Sequence, residues 1–127
     1  MISAAVRRQV TKRAQSRCEY CKLHQDEEPG TAFQIEHIIP RQHGGGDEPS
    51  NLALACLNCN VNKGPNLAGI DPDNQQLERL YNPRIDSWPE HFQAVGPYIM
   101  GLSPCGRVTV RVLKMNADNR IRLRLRL

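Results

Sequence analysis

Two C-x-x-C pairs, Cys18-Glu19-Tyr20-Cys21 and Cys56-Leu57-Asn58-Cys59, constrain this chain more than any other feature. They are separated by 34 residues. That is wider than a simple zinc ribbon and predicts a folded insertion clasped at its base. Zinc favours tetrahedral thiolate sites, and a four-cysteine site is structural because it leaves no position for substrate. A redox pair or an iron–tetrathiolate site is the minority reading. The 127 residues are only 5% aromatic and have a mean hydropathy of −0.55, so one domain with a small core is expected. In such a domain a zinc ion worth on the order of 10 kcal/mol decides whether the chain folds. The fifth cysteine, Cys105, stands alone after Pro104 and reads as a packed thiol.

No apolar run approaches the roughly 20 residues that span a bilayer. Met1–Arg7 has no apolar stretch of signal-peptide length. A cytoplasmic protein without membrane contact is the expectation, which also favours metal-bound thiols over disulfides. The net charge of +4 is unevenly placed: +5 over residues 1–17, −7 over 18–106 and +6 over 107–127. The basic ends suit a phosphate backbone or two solvated helix faces equally well.

Ser3 is placed to cap a first helix, with Val6, Val10 and Ala14 at helical spacing, over residues 3–16. Residues 32–39 read as a strand ended by Pro40, residues 41–50 as a glycine-rich loop, and Leu52–Ala55 as a second strand that brings Cys56 beside Cys18. A short helix is expected from Asn60 to about Leu67. A further helix is expected around Gln75, Leu77, Leu80 and Tyr81, ending before Asn82-Pro83. Trp88 and Phe92 form a packing anchor, and residues 98–102 a strand. Ser103 caps a helix with Pro104 in its first turn and its body over Gly106–Met115. Residues 121–127 alternate leucine or isoleucine with arginine. That period of two favours a strand, whereas leucine and arginine are good helix formers; helix is favoured over strand because the segment continues from a helix.

The chemistry concentrates between the cysteine pairs. Glu36 offers a carboxylate for a hard divalent cation, and its neighbour His37 can take a proton near pH 7. Neighbours on a strand face opposite ways, so both serve one site only where the strand ends or bends. Asn60 offers a neutral oxygen ligand, and Lys63, three residues on, can meet phosphate. Arg41 and His43 lie on the glycine-rich loop, within reach of phosphate. His24 and His91 read as non-catalytic.

The stretch from Arg17-Cys18-Glu19-Tyr20-Cys21 through Ile35-Glu36-His37-Ile38-Ile39-Pro40-Arg41 and Ser50-Asn51-Leu52 to Cys56-Leu57-Asn58-Cys59-Asn60-Val61-Asn62-Lys63-Gly64 resembles an HNH endonuclease of the zinc-stapled kind. Asn82-Pro83-Arg84, Trp88, His91-Phe92 and Gly101-Leu102 resemble the tail of a bacterial subgroup. The resemblance implies an α+β fold: a ββα-metal core over residues 17–67, an N-terminal helix over 3–16, and a C-terminal extension over 68–127, all in one domain. It implies structural Zn²⁺ on Cys18, Cys21, Cys56 and Cys59. It further implies a catalytic Mg²⁺, Mn²⁺ or Ni²⁺ on Glu36 and Asn60, with His37 as general base against a DNA phosphodiester. Asn51 would brace the loop and orient His37. Two departures stand out: Glu36 where many relatives have Asp, and Asn60 where the family name has its second histidine. With no separate recognition domain apparent, specificity is expected to be low or supplied by a partner protein. The competing reading is a zinc-containing module that binds nucleic acid without cutting it.

Overall fold

The computed structural model describes residues 1–127. Helix α1 spans Ala4–Arg13, and the Ser3 hydroxyl accepts the Val6 N–H at 3.1 Å as its cap. The helix stops short of residue 16 because Gln15 and Ser16 take left-handed backbone conformations, with φ 55° and 58°. Val10 is fully buried and packs on Leu52 and Leu54, with Ile2, Val6, Phe33 and Ile35 around them. Arg13 reaches across to donate to the carbonyls of Pro49 and Leu52.

The centre is a hairpin of β1 (Gln34–His37) and β2 (Leu52–Ala55), antiparallel, with Glu36 opposite Ala53 and His37 opposite Leu52. Strand β2 is buried along its whole length. Leu52 and Leu54 face α1, whereas Ala53 and Ala55 join the main core. A strand covered on both faces is why Leu52-Ala53-Leu54-Ala55 shows no polar alternation. Helix α2 (Leu57–Lys63) follows directly, completing a ββα unit. It starts earlier than the expected Asn60 because Cys56 is its cap, the sulfur accepting the Cys59 N–H at 3.4 Å. It ends at Gly64, whose φ is 49°.

The helix expected around Gln75–Tyr81 does not form. Residues 68–79 are a hairpin of β3 (Ala68–Ile70) and β4 (Leu77–Arg79). The Asp71 carboxylate accepts the Asp73 N–H, Gln75 takes φ 62°, and the chain reverses there. Leu77 and Leu80 share a helical spacing, yet Leu77 is exposed and only Leu80 is buried. A one-turn helix α3 (Trp88–His91) runs into β5 (Phe92–Val95), which pairs with β6 (Tyr98–Gly101). Helix α4 (Pro104–Val112) is capped by Ser103 as expected, but ends at Val112, short of Met115, because Lys114 just beyond its C-cap takes φ 51°. It lies so close to β3 that a Cβ on Gly69 would meet Val112 and Val108 at 2.7 and 2.8 Å. The C-terminal segment is helical, α5 (Asp118–Leu125).

One cluster of 17 buried residues joins the cysteines and Tyr20 to Tyr81, Phe92, Val108, Leu113 and Met115. Directional contacts tie the same halves: the Trp88 indole N–H donates to the Tyr20 carbonyl, and the Asn58 amide donates to the Leu113 carbonyl. The result is a small α+β protein of short antiparallel hairpins and helices packed around the ββα unit. No helix is long and apolar enough to cross a membrane.

Candidate active site and metal centre

Cys18, Cys21, Cys56 and Cys59 converge, with all four sulfurs within 4.8 Å of one another and all four residues buried. Cys21 and Cys56 lie 3.8 Å apart, well beyond the ~2 Å of a disulfide. The Cys21 and Cys59 backbone N–H groups donate to Cys18 and Cys56 sulfurs at 3.5 and 3.4 Å, and Arg120 reaches Cys56 sulfur at 3.6 Å. Such donors favour thiolates. Burial pushes the Cys18 thiol up, while hydrogen bonds from its neighbours pull Cys21 down. Four thiolates cannot share a dry pocket unless a cation neutralises them, and a soft tetrahedral donor set suits zinc. Arg120 is itself buried and held by Glu28 at 2.6 Å, so α5 braces the metal centre.

The hairpin separates the two residues expected to act together. Glu36 faces α2 and is 5% exposed. The Tyr20 hydroxyl donates to its Oε2 at 2.7 Å. Lys63 Nζ lies 2.5 Å from Oε1, and it donates to the carbonyls of His37 and Ile38 at 3.2 and 3.0 Å. Oε1 receives no well-directed hydrogen bond, so an ammonium ion is its only partner. Burial raises the Glu36 carboxyl, and the Lys63 charge partly offsets this. Lys63, expected from the sequence to meet phosphate, is 2% exposed, its ammonium turned inside to neutralise Glu36. Asn60 sits on α2 one turn before Lys63, half-buried, with no protein group hydrogen-bonded to its side-chain amide.

His37 points the other way, toward α1, with 19% of its side chain exposed. It lines an open depression with Ile35, Arg41, Arg7, Ile2 and Met1. Its Nε2 lies 2.7 Å from Asp47 Oδ1. Arg41 donates to both Asp47 oxygens at 2.9 and 3.1 Å, and the chain's amino group lies 3.3 Å from the same carboxylate. Hydrogen bonds from His37, first, and Arg41 hold the Asp47 carboxyl well below the usual range.

Asn51 shapes the loop that carries Asp47. Its Oδ1 accepts the Ile39 N–H at 2.9 Å, and its Nδ2 donates to the carbonyls of Ile39 and Gly46 at 3.0 and 2.9 Å. Gly45 passes so close to the strand end that a Cβ would lie 1.6 Å from the Ile39 oxygen. Asn51 therefore pins both ends of the loop, and the loop sets Asp47 on His37. Arg41 sits on the exposed turn Arg41–His43, and His43 is exposed beside it. Sequence reasoning missed Asp47. The available signal was that a loop anchored at both Pro40 and Asn51 must fold back over the strand end, bringing its acidic residue with it.

The HNH endonuclease family model matches residues 18–66. Septu protein PtuB from Bacillus thuringiensis is 27% identical over 108 residues, covering 84% of this chain and 39% of that protein. The chain thus spans about two-fifths of this relative's length. No solved structure matches. The matched residues hold the cysteine frame, the ββα unit, His37, Asn51 and Asn60, so it is over residues 18–66 that this chain matches the HNH endonuclease family model.

Proposed function

We propose that the chain is a nuclease that hydrolyses DNA phosphodiester bonds, with His37 as the proton acceptor. The observation that carries this is the contact between His37 Nε2 and Asp47, on a loop pinned by Asn51. An ionised carboxylate can only accept, so Nε2 carries the proton in that bond. The Nδ1 lone pair is then free to take a proton from water beside a phosphate. Asp47 acts as a positioning residue, holding the imidazole in one tautomer and one orientation. Arg7 and Arg41 border the same depression and supply charge for the phosphate backbone.

Glu36 and Asn60 would hold the divalent ion, Mg²⁺ or its substitutes Mn²⁺ and Ni²⁺. The fit rests on Glu36 Oε1, a buried carboxylate oxygen whose single neighbour is the Lys63 ammonium, which stands in for a cation. Glu36 and His37 face opposite sides of the hairpin, so such an ion would serve the phosphate that His37 approaches only across the end of β1, where it would stabilise charge on the phosphate and on the leaving 3′ oxygen. The four cysteines would hold structural Zn²⁺. Specificity is low or supplied by a partner protein.

The occupied state of Glu36 favours a second reading, a zinc-containing module that binds nucleic acid without cutting. Nicking of supercoiled plasmid decides between them. The nuclease reading expects nicking that requires divalent metal and is stopped by EDTA. General-base loss in His37→Ala should cost about 10²–10⁴-fold. Asp47→Ala should cost less, with a fall in kcat at unchanged DNA affinity. Equal cutting by His37→Ala, or an intact plasmid with folded, zinc-loaded protein and metal, refutes the nuclease reading.

A further inference from the structure

Asp86, His91 and Cys105 lie outside the matched HNH residues, and the hydrolysis chemistry uses none of them. They come from three different elements: the turn after β4, the end of α3 and the first turn of α4. Their ligand atoms all lie within 4.8 Å of one another. His91 Nε2 is 3.9 Å from Asp86 Oδ1. Each side chain is mostly buried, and each is oriented by a neighbour. The Ser103 hydroxyl lies 2.6 Å from His91 Nδ1, the ring packs edge-on against Tyr81, and Nε2 is left facing the cluster. Arg79 holds Asp86 through both oxygens at 2.6 and 2.9 Å, which leaves Oδ1 a second lone pair. The close approach of α3 to α4 needs Gly106, since a Cβ there would meet the His91 carbonyl oxygen at 2.0 Å.

We propose that Asp86, His91 and Cys105 form a second metal site, separate from the four cysteines, which takes a zinc ion. The donors are one carboxylate, one imidazole and one thiol, the three side-chain types zinc accepts. In a tetrahedral site the N···O separation is about 3.3 Å and the N···S separation about 3.5 Å, from metal–ligand bonds of ~2.0 and ~2.3 Å. The observed separations close to these values with side-chain movements of about 1 Å. Ser103 and Arg79 are the outer partners that fix ligand orientation at metal centres. Three protein ligands leave the fourth position to water. A thiolate and a carboxylate balance the charge of the ion, and the site would tie the turn at Asp86 to α4.

The test is zinc stoichiometry of the full-length chain, by mass spectrometry after removal of loosely bound metal. Wild type is expected to hold two zinc ions, and His91→Gln and Cys105→Ser one each. Glu36→Gln should keep two, which separates this site from the proposed nuclease centre. Cobalt(II) titration of wild type should show a thiolate-to-cobalt charge-transfer band for the second equivalent. One zinc in wild type at saturating zinc overturns the proposal, as does a second ion retained in His91→Gln or lost in Glu36→Gln. Because the wild-type count and the cobalt spectrum decide by themselves, a variant that fails to fold does not rescue the proposal.

Discussion

Replacing Lys63 with methionine tests how the hairpin and α2 are held together. The substitution keeps the length of the side chain and removes the ammonium. Three groups lose a partner: the Glu36 carboxylate and the carbonyls of His37 and Ile38. Both members of the pair are almost wholly buried, so water cannot replace the lost contact. Breaking a buried pair from one side costs about 3–5 kcal/mol. Domains of this size have about 5–15 kcal/mol in all, so the variant should fold but be much weakened. Glu36→Gln/Lys63→Met should be more stable than Lys63→Met alone, with a coupling of about 2–3 kcal/mol. Urea unfolding of the zinc-loaded wild type, both single variants and the double variant gives this number directly. The pH dependence has a definite sign. Burial raises Glu36 in the folded protein, so its contribution is fully present in acid and is lost as pH rises through the folded value. Without Lys63 that value climbs further, and the penalty in Lys63→Met grows with rising pH. If Glu36 is also the seat of the divalent ion, Mn²⁺ should stabilise Lys63→Met more than wild type, the variant itself gaining about 1.4 kcal/mol at ten times its Kd. A loss below about 1 kcal/mol, or additive single effects, would refute the argument that this pair is a buried, mutually dependent unit.

Cys56→Ser removes a zinc ligand while keeping a side chain that can cap α2; the loss of up to about 10 kcal/mol should leave the chain unfolded at 25 °C, by circular dichroism. A soluble variant as stable as wild type would remove the staple argument. Arg7→Ala and Arg41→Ala should each weaken DNA binding uniformly across sequences, and each should reduce the slope of log K against log salt by about 1. An unchanged slope in both variants would move the DNA path away from the His37 depression.

Much of the fold is local and could therefore be read from the chain. Ser3 and Ser103 cap the helices they precede because a cap needs only its own hydroxyl and an N–H three residues on. The anchor at Trp88 follows from local pattern in the same way, whereas the C-terminal helix does not: the strict alternation of residues 121–127 favours a strand, and α5 is a separate helix from α4. The hairpin at residues 68–79 was misread because Leu77 and Leu80 fit a helical spacing, whereas the turn at Asp71–Gln75 and the cover of α4 decided the outcome. Partner strand β5 was not legible at all. Its residues become a strand by pairing with β6, and Phe92 is the only one of them buried.

For the site, the C-x-x-C spacing determined that four cysteines would meet, and residue patterns marked two strands and a helix between and beside them. The resemblance to the HNH family grouped Glu36, His37, Asn51 and Asn60 within one ββα unit. Tertiary structure decided which of them face each other. The alternation of β1 sends Glu36 to α2 and His37 to α1, because each face of this hairpin is covered by a different helix. Lys63 turns inward because a buried carboxylate needs a counter-charge, and Asp47 reaches His37 because Asn51 folds the loop back over the strand. Long-range charge neutralisation and loop closure have no short period in a sequence, and they appear only when the chain is folded.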